Sequence, residues 1–307
     1  MSDIYDLFAI RYGHHHRTAT HNFLGGDPHD GPMPLDYFVW AIVGEKRRFV
    51  FDTGFDAARG EKRQRTLLRP VGEGLKMIGI DPDSIEDVII SHMHFDHAGN
   101  HHLFPKARYH LQDTEMEYCT GRCMCHQALR IPFEADDVTA MVEKIFADRV
   151  IFHNGTSEIA PNLTVHKVGG HSKGLQIVRV LTRRGWVVLG SDAAHFYANF
   201  EQNRPFPVLE SVTDMLEGFN TMRRLASSNR HIIPGHDPLV LRQYPAAAAD
   251  VADFVRPDAD PVPYPASSKT PLPPAAFAIQ TRAVLGTRAL SSRVTGRVSV
   301  VTPRRSS

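Results

Sequence analysis

With 307 residues, 42% of them hydrophobic, the chain can bury a substantial core in one large domain or two small ones. Its 35 basic and 34 acidic residues leave a net charge of +1, so no global electrostatic case exists for nucleic acid or a membrane surface. No run of about twenty apolar residues could cross a bilayer. The opening Met-Ser-Asp-Ile-Tyr-Asp lacks the basic and apolar regions of a signal peptide, so a cytoplasmic location is expected.

Residues 5–12 and 37–54 read as strands of an opening sheet. The segment between them, 14–34, is irregular, with Gly25-Gly-Asp-Pro28 and Asp30-Gly-Pro-Met-Pro34. A loop this long marks function or an interface, which suggests a homodimer. Residues 61–79 read as helical. Asp87-Val-Ile-Ile-Ser91 is short, apolar and β-branched, the signature of a buried strand. The loop leaving it carries His92, His94, Asp96 and His97 in the pattern H-x-H-x-D-H. His and Asp are seldom fully buried unless paired or bound to metal. In extended backbone His92 and His94 point the same way, while Asp96 and His97 can face a second point nearby. Imidazole and carboxylate suit zinc first, and also iron, manganese or cobalt.

Farther along, Cys119, Cys123 and Cys125 precede His126. The spacing is not that of a closed zinc site, and an odd thiol count without a secretion signal reads as reduced cysteine. The segment reads as an insertion over the active site, with Asp113-Thr-Glu-Met-Glu opening a helix with an acidic first turn. Residues 135–148 and 211–227 carry apolar stripes at helical spacing. Three more apolar runs each end in one ligand-type residue. Leu163-Thr-Val-His-Lys-Val168 leads through two glycines to His171. Trp186-Val-Val-Leu-Gly-Ser leads to Asp192, and His231-Ile-Ile-Pro-Gly to His236. From about Pro257 the chain turns rich in Pro, Ala and Ser, and beyond Val262 it holds no acidic residue. A hydrolase domain over 1–256 and a flexible, solvated tail over 257–307, Pro-rich then basic, are expected.

The order H-x-H-x-D-H, then His, then Asp, then Gly-His resembles the metallo-β-lactamase superfamily. Asp52-Thr-Gly54 matches that superfamily's early turn. The likeness covers roughly residues 5–245. Residues 91–100, 191–199 and 234–238 are similar to the N-acyl homoserine lactonase family. The resemblance implies a four-layer αββα sandwich with two divalent metal ions. His92, His94 and His171 would hold one ion, Asp96, His97 and His236 the other, and Asp192 would bridge them beside a shared water or hydroxide. Asp52 and Asp237 stand as partners that orient the imidazoles. It implies lactone-ring opening, with Asp96 also carrying the proton to the leaving alkoxide. One departure stands out: the lactonases commonly place Tyr three residues after the bridging Asp, and this chain has His195. His195, or Tyr197 two residues on, would donate a hydrogen bond to the developing oxyanion. Phe196, Phe200 and Met124 are expected in the apolar wall that meets an acyl chain. The partner expected is a small-molecule lactone. The alternatives are another lactone, a glyoxalase II-like thioester, or a non-catalytic metal-binding protein of the same fold.

Overall fold

In the computed structural model, which describes residues 3–248 and 251–262, strand alternation sorts side chains into two cores. Strands β1 (Asp6–His15), β2 (Leu35–Val43) and β3 (Arg48–Phe51) pair antiparallel in that order. Phe38, Trp40 and Ile42 of β2 join Phe49 and Phe51 of β3 in one apolar cluster. Tyr37, Val39 and Ala41 join Val50 in another. This is the period of two expected of a sheet covered on both faces.

Strand β4 (Thr66–Leu67) pairs with β1. Strands β5 (Asp87–Ile89), β6 (Arg108–Gln112) and β7 (Val150–His153) continue the sheet from β3 in parallel. The second sheet contains β8 (Thr156–Ala160), β9 (Leu163–Lys167), β10 (Gln176–Thr182), β11 (Gly185–Leu189) and β12 (Ile232–Ile233). Its order is β12-β11-β10-β9-β8. Strand β13 (Phe254–Val255) returns to the free side of β1.

Helices Val71–Met77 and Ala135–Phe146 cover the first sheet, placing Leu75 and Met141 in its outer core. Helix Val212–Leu225 covers the second through Met215, Phe219 and Met222, and Ser211 caps it by accepting from the Asp214 amide. The four αββα layers expected are present. The single helix expected over 61–79 is not. It is two helices, Ala57–Lys62 and Val71–Met77, with β4 between them. Gln64 takes a left-handed φ of 56°, and Pro70 disfavours helical backbone at Arg69, so the first helix cannot run into the second.

Packing continues past the expected boundary at 256. Asp258 is buried and accepts the Leu7 amide at 3.1 Å. Residues 263–307, most of the expected tail, lie outside the described residues. Among the described residues no helix is long and apolar enough to cross a membrane.

Candidate metal centre

All four ligand-bearing loops follow strands. His92 to His97 follow β5, His171 lies between β9 and β10, Asp192 follows β11, and His236 follows β12. Loops at the ends of rigid strands hold side chains in register for chemistry. Two glycines make the approach possible. Gly170 has φ of 87°, and a Cβ there would lie 2.5 Å from the Met215 nitrogen. A Cβ on Gly174 would fall 2.2 Å from the Glu115 nitrogen.

These loops gather their ligand atoms into sets within 4.8 Å: His92, His94 and His171 in one, Asp96, His97 and His236 in another. Asp192 stands between them. Its Oδ1 lies 2.9 Å from His236 Nε2 and 3.3 Å from His97 Nε2. Its Oδ2 lies 3.2 Å from His171 Nε2 and 2.9 Å from His195 Nε2. One carboxylate thus presents an oxygen to each set.

The donor set fits metal ions. Nε2 of His92, His97 and His171 and Oδ1 of Asp192 are buried without a hydrogen-bond partner. An unsatisfied buried polar atom costs about 1–3 kcal/mol, and metal coordination would remove that cost. The other ring nitrogens are tied outward. His171 Nδ1 donates to the Val208 carbonyl at 2.6 Å and His236 Nδ1 to the Asp36 carbonyl at 2.9 Å. His97 Nδ1 lies 2.8 Å from Asp52 Oδ2, and His92 Nδ1 2.9 Å from Ser91 Oγ. Partners of this kind fix ring orientation and turn the Nε2 lone pair inward. Burial, with help from neighbouring imidazoles, lowers the pKa of His92, His94 and His171 and keeps their lone pairs free. Burial works to raise the Asp192 carboxyl, but His236 and His97 hold it well below the usual range.

Asp52 takes the orienting position expected of it, with a left-handed φ of 65° that Asp tolerates. Asp237 does not. Its carboxylate accepts the Tyr197 and Leu239 amides and meets no imidazole. Glu115 is a positioning residue that its place in an acidic helix start did not signal. It is buried and accepts from the Met93 amide, Ser172 Oγ and the Gly174 amide at 2.7–2.9 Å, tying the His92 loop to the His171 loop.

Over the cluster opens a cavity of about 410 Å³. His94, Asp96, His171, Asp192, His195 and His236 line its floor, and Leu35, Phe95, Leu129, Ile131 and Val208 its walls. His195 stacks on Phe206 with ring centroids 3.5 Å apart. Tyr197 is not among the lining residues. It starts helix Tyr197–Glu201 and is buried in the core with Phe200 and Tyr244. Phe196 and Phe200 are likewise buried away from the cavity, and Met124 lines a different one. The residues after the cysteines do reach the site, through Ala128, Leu129, Ile131 and Pro132. Sequence reading missed Tyr37, Arg17, Arg63 and Arg65, which line the cavity from loops and strands far apart in the chain.

The family model for the metallo-beta-lactamase superfamily matches residues 33–199. An N-acyl homoserine lactonase of Bacillus thuringiensis is 29% identical over 165 residues, which is 53% of this chain and 60% of the relative, so the match spans less than two thirds of that relative. The crystal structure of a quorum-quenching N-acyl homoserine lactone lactonase matches with a TM-score of 0.64 at 22% identity, covering 78% of this chain and 94% of that one. A dizinc quorum-quenching lactonase in complex with a product matches with a TM-score of 0.61 at 15% identity, covering 78% and 89%. With the family model spanning more than half of its length, the chain belongs to the metallo-beta-lactamase superfamily.

Proposed function

We propose that the protein is a dinuclear metal-dependent hydrolase that opens the ring of N-acyl homoserine lactones. The observation that carries the reading is Asp192, whose two carboxylate oxygens face two separate sets of ligand atoms beneath a cavity with apolar walls. His92, His94 and His171 would hold one divalent ion, and Asp96, His97 and His236 the other, with zinc the first choice and iron, manganese or cobalt the rest. When bound, such a pair lowers the pKa of a shared water towards neutrality and polarises an ester carbonyl.

The chain's own groups supply the remainder. Asp96 lines the cavity with Oδ2 3.8 Å from His236 Nε2, and carries a proton to the leaving alkoxide as the ring opens. His195, stacked on Phe206 and lining the cavity, donates its one ring N–H to the carbonyl oxygen, a proton that otherwise serves Asp192 Oδ2. Burial lowers its pKa to about 3, so the donor is a neutral imidazole. The apolar walls take the acyl chain and exclude water from the reacting centre. The N-acyl homoserine lactonases among the relatives support this substrate class.

Metal-replete protein in a pH-stat should release one proton per lactone opened across a series of acyl chains. Protein with two bound metal ions that releases no acid from any of them overturns the reading.

A further inference from the structure

We propose that the substrate carries an oxyanion, a carboxylate or phosphate, remote from the bond that is cleaved, and that Arg17 and Arg65 bind it. The inference rests on the lactone reading and narrows it. Three arginines line the metal cavity, Arg17, Arg63 and Arg65. Arg63 is accounted for within the fold: it pairs with Glu134 at 2.8 Å, donates to the Phe133 carbonyl and lies over the Phe95 ring. The other two differ. Among the described residues no carboxylate lies within 4.0 Å of either guanidinium. Their hydrogen bonds go to backbone carbonyls, Arg17 to His21 and Arg65 to Arg63. Arg65 Nε is buried with no partner at all.

Both arginines line the same cavity as Tyr37, whose ring packs on His236 with centroids 5.1 Å apart, and as the ligand-type residues of the metal cluster. They also act on one another and on His15. Burial lowers the Arg17 pKa, Tyr37 opposes it, and Arg65 lowers it further; burial and both arginines push His15 down to about 3. Two part-buried cations lining one cavity without a carboxylate partner are unfavourable unless a ligand supplies the counter-charge. The cavity's carboxylates, Asp96 and Asp192, belong to the metal cluster. A neutral acyl chain would gain nothing from this pair. An oxyanion meets two planar forks of donors suited to bidentate contact.

Calorimetric binding to the metal-loaded protein tests this without turnover. The probes are three ring-opened N-acyl homoserines of equal length, with a methyl, a carboxylate or a phosphate at the chain end. An anionic end should bind about 10–100-fold tighter than the methyl, as charge-assisted hydrogen bonds allow. The better of the two anions identifies the group. R17M and R65M should each cut that ratio to below about threefold, while R17K and R65K keep part of it. Metal content and thermal midpoint, measured on every variant, separate loss of the anion site from misfolding. A wild-type ratio near one, or a ratio unchanged in folded R17M and R65M, overturns the proposal. Turnover of the matching lactones is followed in parallel. Anion preference without ring opening sinks the lactone reading alone, and ring opening without preference sinks the anion site alone.

Discussion

Asp87 opens strand β5 and His92 lies just beyond its end, and each belongs to a buried histidine cluster. In the first, every partner comes from the protein. Asp87 accepts from Arg47 at 2.7 Å and Arg108 at 2.9 Å, and meets His110 Nε2 at 3.1 Å. His110 Nδ1 meets His153 Nε2 at 3.1 Å, the rings stacked within 7° of parallel. In the second, Nε2 of His92, His97 and His171 turn inward on Asp192 with no hydrogen-bond partner, and a cavity opens above them. Both clusters are buried and both contain a carboxylate. What separates them is whether the polar atoms are satisfied by the chain itself. A closed network holds the fold; an open one awaits a ligand.

Substitutions should pull the two clusters apart. Asp192→Ala removes the oxygen shared by both ligand sets. It should cut turnover by more than about 100-fold, beyond what losing an orienting partner costs, and reduce bound metal. Metal analysis beside kinetics checks it, and undiminished activity would break the comparison. Asp87→Ala should do the opposite. Leaving Arg47 and His110 unpaired should cost about 2–4 kcal/mol in denaturant unfolding, with metal content per folded chain unchanged. Acid should reveal the same group. Burial works to raise the Asp87 carboxyl, but His110, Arg47 and Arg108 hold it well below the usual range. Its stabilisation is therefore complete above the unfolded value near pH 4 (about 3.9) and fades as pH falls below it. Wild-type stability should drop more steeply than that of Asp87→Ala in that window.

Smaller effects sharpen the contrast. Asp52→Asn keeps the left-handed turn but weakens the hold on His97, and metal affinity by competition with a chelator should fall about 10–100-fold. For His195→Ala, kcat should fall about tenfold, the worth of one neutral hydrogen bond and short of what a dedicated oxyanion donor supplies, with metal content retained. If turnover is unchanged, His195 has no part at the carbonyl.

Much of this was legible because it is local. Each metal-type ligand sits just past an apolar run, and a run's length and branching mark a strand end. The two-faced burial of β2 explains why alternation alone did not show which side of residues 37–54 faced the second sheet. Tyr197 went astray because closeness in sequence to Asp192 does not fix direction; the helix beginning there turns its ring into the core. The break at 64–70 hides in the φ of Gln64, which residue type signals only weakly. Glu115, Arg17 and Arg65 were out of reach for a different reason. Glu115 meets Met93, Ser172 and Gly174 from distant segments, and Arg17 and Arg65 reach one cavity only once the sheets are packed.

The central claim is that the unpartnered nitrogens around Asp192 await metal. Titrating metal-free protein with zinc, followed by calorimetry and metal analysis, tests it most directly. The account predicts two ions per chain in the wild type and loss of the two-ion state in Asp192→Ala. A wild-type chain that takes up no zinc, or an Asp192→Ala chain that still binds two ions as tightly, would contradict it.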